Sequence, residues 1–183
     1  MEKFTNESID LESLPKFEEV IFTPLQKNYF NVLVFNLIVS LLISILVYIG
    51  FELITKDSFF KSSIILVPIG LILIFFIVFL IVKLGFNKRG FAIRNHDIIY
   101  RNGIISENTT IVPYNRVQHV ALHRGFISRK FNLATVQLFT AGENSADLKI
   151  PGILYEDAVK IKELVSNKIN SQHQKISENN SNE

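Results

Sequence analysis

Two histidines, His119 and His123, stand four residues apart, a spacing that on a helix would bring two imidazoles together around a zinc ion. The surrounding residues, Val117 to Leu122, interleave valine, alanine and leucine with polar side chains and so predict a strand. Four strand residues cover ~13 Å, so the two rings share a face but cannot share a metal. His96 falls in a turn and His173 near the C-terminal end, and neither completes a ligand set. The acids Asp97, Glu107, Glu143 and Asp147 lie among Asn, Ser and Gly, where carboxylates face water. Ser128 and Ser145 have no base that spacing would place beside them. No nucleophile elbow, phosphate loop, dinucleotide fingerprint or pair of carboxylates on one helix face occurs. The expectation is a protein with no catalytic residue, no metal and no cofactor.

What remains is positive charge. Lys83, Lys88, Arg89, Arg94 and Arg101 crowd one stretch, and Arg116, Arg124, Arg129 and Lys130 fall on either side of the Val117 to Leu122 strand. Beside an anionic bilayer each such side chain contributes ~1 kcal/mol. Lys83, Lys88, Arg89, Arg94, Arg116, Arg124, Arg129 and Lys130 are therefore candidate contacts to lipid headgroups. The competing reading is a solvated rim, with Arg116 or Arg129 paired internally. The formal net charge is only +2, and basic residues that follow an apolar run mark orientation and headgroup contact, not nucleic acid.

The elements that position these residues begin in a membrane. Tyr29 to Phe51 contains no charged residue, and Ile64 to Val82 is purer still. At ~1.5 Å per residue the runs reach ~34 and ~28 Å, close to the ~30 Å hydrocarbon thickness of a bilayer. Neither shows the polar stripe of a core helix, and the roughly 140 residues outside them cannot wrap two all-apolar helices. The first run is too long and starts too late for a signal peptide. We therefore expect transmembrane helices at 29–51 and 62–85, an N-terminal segment at 1–28, and an external connector at 52–61. So short a connector makes the pair an antiparallel hairpin. The basic residues after the second run, set against only Lys56 and Lys61 in the connector, place both termini in the cytoplasm. The chain has no cysteine, which excludes disulfides and thiolate metal sites.

Residues 86–170 form a separate module in this reading. Strands are expected at Gly90 to Arg94, Ile98 to Ile105, Thr109 to Val112, Val117 to Leu122, Thr135 to Thr140 and Asp147 to Ile150, the last ending at Pro151-Gly152. Leu154, Ala158, Ile161, Val165 and Ile169 then recur on one helix face, with Glu156 and Asp157 in the first turn and Lys168 in the last. About seven strands and one helix imply an α+β barrel-like sheet with the helix over its open end. Val117, Val120, Leu133, Val136, Leu138, Ile161 and Val165 are the expected core. Residues 171–183 lack apolar content and are expected to be a disordered tail, and residues 1 to about 14 are expected to be loose as well.

Several stretches together resemble one family. They are Pro113-Tyr114-Asn115-Arg116-Val117-Gln118-His119-Val120, Gly125 to Ala134, Val136 to Gly142, and Ile150-Pro151-Gly152-Ile153. They are similar to the bacterial pleckstrin-homology (PH)-like membrane proteins, in which a two-helix hairpin precedes such a domain, and the likeness covers about 25–169. It implies a strongly bent seven-stranded sheet capped by a C-terminal helix. It also implies a place in a bacterial cytoplasmic membrane and a partner protein bearing further copies of the domain. At Asn132 the family pattern often has glycine, and asparagine is one of the few other residues that accept positive φ. The turn Asn95-His96-Asp97 is too short for the basic loop with which eukaryotic PH domains hold phosphoinositides, so that recognition is not expected here.

The function expected is a non-catalytic, membrane-anchored interaction and assembly module, whose partners are a membrane protein with similar domains or a second copy, and anionic lipid. Asn31, Asn36, Ser40 and Ser44 are spaced to join helices by hydrogen bonds, which favours assembly. The alternative is a subunit of an envelope transport or lipid-processing enzyme complex. Transport is disfavoured because the two runs hold no ionisable residue.

Overall fold

The computed structural model describes residues 20–55, 65–104, 106–140 and 147–180. The N-terminal residues before 20, the connector from 56 onward, Glu143, Ser145 and the last three residues lie outside them. Helix α1 spans Lys27–Thr55 and α2 spans Leu66–Phe86. Both are apolar on all sides, and only 6% and 0% of their most apolar stretches are buried. That exposure removes the core-helix alternative, because a soluble core covers such residues. Phe30, in the first turn of α1, meets Phe79 and Phe86 near the end of α2, with ring centroids 6.1 and 5.6 Å apart, so the helices run antiparallel. The Ser44 hydroxyl donates to the Ser40 carbonyl at 2.8 Å, which satisfies it within its own helix.

Seven strands are described. Strand β1 is Thr23–Pro24, β2 Gly90–Ile93, β3 Asp97–Asn102, β4 Asn108–Pro113, β5 Val117–His123, β6 Leu133–Thr140 and β7 Leu148–Leu154. They form an antiparallel four-stranded sheet, β1-β2-β3-β4, and an antiparallel three-stranded sheet, β5-β6-β7. The chain crosses between the sheets through a 3-10 turn, Tyr114–Arg116. The seventh strand comes from ahead of the first membrane helix: Thr23 pairs with Phe91 and Pro24 with Gly90. The domain therefore takes in residues that the sequence reading assigned to a separate N-terminal segment.

Helix α1 runs into the expected connector, to Thr55, α2 starts at Leu66, and β6 starts two residues early, at Leu133. Three further differences have a local cause. Strand β3 stops at Asn102, because Gly103 turns the chain with φ 118°, where a Cβ would fall 1.9 Å from the Ser106 carbonyl oxygen. Strand β7 runs through Pro151 and Gly152 to Leu154, and the register with β6 shifts between Ala134 and Val136 to accommodate them. Helix α4, Tyr155–Asn180, continues past Asn170, where a disordered tail was expected, so Lys168 is not in its last turn. No glycine or proline follows Gly152 to stop it.

Ala158, Ile161, Val165 and Ile169 of α4 are buried against the sheets with Val117, Val136, Leu138, Leu148 and Ile150. Leu133 is also fully buried, and Val120 is partly buried against the same core. Five of the seven expected positions, Val117, Val136, Leu138, Ile161 and Val165, are thus in this core; Val120 is at its margin, and Leu133 is buried outside it. Leu25 belongs to this core too, and Tyr29 and Phe86 pack on it, so the hairpin end and the domain share one apolar interior.

Candidate membrane-facing surface

Strand direction decides which basic residues are neighbours. Gly90 opens β2 just after α2, so β2 leads away from the hairpin, β3 returns, and β4 leads away again. Strand β5 returns, ending at His123, which pairs with Thr135. The hairpin end is also marked by Gln26, whose N–H donates to the Gly152 carbonyl at 3.0 Å, and by a short helix α3, Phe126–Lys130, which packs beside α1. Residues 87–89, 103–104, 106–107 and 124–132 and the β7–α4 junction thus lie beside the hairpin. Residues 94–97 and 113–116 lie at the far end.

The expected basic cluster splits accordingly. Lys83 and Lys88 are exposed on the hairpin side, and Arg89 is partly buried there. Arg124, Arg129 and Lys130 join them. Arg94 and Arg116 sit at the opposite end, with the seven residues of β5, ~23 Å of strand, between Arg116 and Arg124. Arg94 is also committed: its Nε and Nη2 reach the two Asp97 carboxylate oxygens at 2.6 and 2.5 Å, and that bond raises its pKa. Arg124 stacks on the Tyr155 ring at 4.0 Å while Nε donates to the Leu133 carbonyl and Nη2 to Asn132 Oδ1, each at 3.3 Å. Arg129 and Lys130 instead flank the exposed Phe126 ring, at 6.0 and 5.3 Å from its centroid. Asn132 ends this loop at φ 53°, the positive value for which asparagine is suited.

Sequence reasoning missed α3, Phe126, Tyr155 and the Tyr29–Gly152 contact. The available signal was Phe126 preceding Arg129-Lys130, an aromatic beside two cations. A cleft of about 440 Å³ also opens at this level, lined by Thr23, Leu25, Gln26, Lys27 and Phe86 among others.

His119, Asp147 and Glu107 make contacts within the domain. His119 stacks on Phe139 with centroids 4.2 Å apart, and His123 lies at the other end of β5. Asp147 Oδ2 accepts from the Thr140 N–H at 2.6 Å, and Glu107 pairs with Arg101 at 3.4 Å. Among the described residues no three His, Cys, Asp or Glu side chains gather with metal-binding geometry.

Tyr114 ties the far end together. It is 1% exposed, its hydroxyl donates to the Arg94 carbonyl at 2.9 Å, and its N–H donates to the His96 carbonyl at 3.0 Å. Burial, reinforced by the Asp97 charge, pushes its phenol up to about 12. The fold therefore favours the protonated phenol. The stabilisation is intact below the unfolded value of 10 and is lost as pH rises through 12. Thermal unfolding should show the wild type losing stability more steeply over that window than Tyr114→Phe. At neutral pH the variant should be weaker by about 1 kcal/mol, for the lost hydrogen bond.

A two-helix membrane hairpin packed end-on against a bent, helix-capped pair of sheets defines a membrane-anchored PH-like protein. The chain belongs to the bacterial PH domain family, which it matches over residues 11–169. It is also 34% identical over 89 residues to the UPF0699 transmembrane protein YdbS of Bacillus subtilis (strain 168). That alignment covers 49% of this chain and 54% of the relative, so the chain spans about half the relative's length. No solved structure matches.

Proposed function

We propose that the protein is a non-catalytic assembly module of the bacterial cytoplasmic membrane. In this reading both termini are cytoplasmic, and the hairpin and PH-like domain together engage a second copy or a membrane protein with similar domains. The observation that carries this is Asn36. Its amide is exposed on α1 and bonds to no described residue. It lies nine residues, ~14 Å, beyond Lys27. An amide at that depth has no water to bond to and is satisfied by a neighbouring helix. Asn31 is exposed on the same helix. Lys83, Lys88, Arg129 and Lys130 add the attraction of an anionic leaflet on the domain side.

Light scattering of the full chain in mild detergent tests the assembly. The wild type should be heavier than one chain, and Asn36→Leu should shift the population towards the single chain. A wild type that is a partner-free single chain, with nothing bound to it when captured from native membranes, would remove the proposal.

A further inference from the structure

We infer that Phe126 is an interfacial anchor that inserts into the lipid headgroup and upper acyl layer beside α1. The inference rests on the membrane placement just proposed, and it names the contact that sets the domain's attitude on the bilayer. Phe126 is 65% exposed, more than Phe35, Phe51 or Phe76 on the span surfaces at 45, 51 and 57%. An aromatic ring that open to water on a soluble surface is unfavourable, and it is stabilised where apolar chains begin.

Its position supplies the occupant. Helix α3 packs beside α1, and the neighbouring β7 contacts α1 through Gly152 and Tyr29, so the ring stands next to the point where the first span enters the bilayer. Arg129 and Lys130 flank it with charges that reach lipid phosphates while their stems lie along the apolar layer. Tyr155, partly exposed and stacked by Arg124, lies on the same side, and Lys27 is exposed at the start of α1. Aromatic side chains beside basic ones are the composition of a membrane–water boundary. Ile21 is also exposed, at 92%, but it precedes β1 and lies on neither α3 nor α1, and no described basic side chain is stacked on it.

The chain contains no tryptophan, so Phe126→Trp installs a single reporter at a surface position. The full-length variant is reconstituted in phosphatidylcholine vesicles containing phosphatidylglycerol. Emission should shift to shorter wavelength, resist iodide, and lose intensity when the lipids carry bromine high on their acyl chains. His96→Trp, the control in the exposed turn at the far end of the domain, should emit as in water and be quenched by iodide alone. Adding Arg129→Glu and Lys130→Glu to the Phe126→Trp chain should reduce the bromolipid quenching. Water-like emission from Phe126→Trp overturns the anchor. So does blue-shifted emission without bromolipid quenching, which would mean that protein covers the ring. Placing Phe126→Trp on the Asn36→Leu chain separates the two proposals, because loss of assembly should leave this emission unchanged.

Discussion

Gly152→Ala should weaken the joint between domain and hairpin more than any other single methyl addition in β7. Gly152 has φ 68°, and a Cβ there would fall 2.5 to 2.8 Å from Cγ, Cβ and Cδ1 of Tyr29. Those are the root of the Tyr29 side chain, which cannot swing aside without moving α1. The left-handed backbone costs ~1–2 kcal/mol for a residue with a Cβ, and overpacking adds ~1–3 kcal/mol. The thermal midpoint of the full chain in detergent should therefore drop by several degrees. Tyr29→Ala in the same chain removes Cγ and Cδ1 but keeps the Cβ, so it should recover part of the steric cost and leave the backbone part, a non-additivity that a double-mutant cycle reads directly. An additive pair would mean that the two residues do not touch.

Leu138→Ala should be comparably damaging for a different reason. Leu138 is fully buried at the centre of β6, paired with Val120 on one side and Leu148 on the other, in the core that α4 closes. Removing its branched end leaves a cavity that three strands and a helix cannot jointly collapse, at ~2–5 kcal/mol. Ile161→Ala, on α4, should fall at the low end of that range, since Ile161 retains 6% exposure and the helix can settle inward. Near-UV circular dichroism during heating measures both. An unchanged midpoint for Ile161→Ala would show that α4 does not cap the sheets.

Periodicity made the spans, the inner strands and the face of α4 legible, because each buries a repeating pattern long enough to read. Elements shorter than one repeat were not. Strand β1 is two residues long and ends in proline, which reads as a breaker although it needs no N–H on a sheet edge. Helix α3 is five residues, less than two turns. Asn132 was legible through the resemblance, whose frequent glycine at that turn calls for a positive φ that asparagine also accepts. The basic surface was half legible. Arg116 and Arg124 look like neighbours in the chain, but one strand separates them to opposite ends of the domain, and only Arg124 faces the hairpin. Charge can be counted in a sequence, whereas the direction in which a strand carries it depends on the partners of that strand. The far reach of α4 was hidden because the residues beyond Asn170 carry no apolar stripe to reveal it.

Strand β1 also fixes an order of events during synthesis. Its partner β2 is translated only after both spans, so Thr23 and Pro24 wait while 65 residues of hairpin and turn emerge between Pro24 and Gly90. The outer edge of β2 stays unpaired until the ribosome has delivered the domain to the side of the membrane that holds the N-terminal segment. A hairpin threaded with only one span across would strand the two on opposite sides, leaving an open β edge of the kind that recruits other chains. Closure of the sheet thus depends on the threading of the hairpin, because β1 can cover the edge of β2 only when both lie on one side of the membrane.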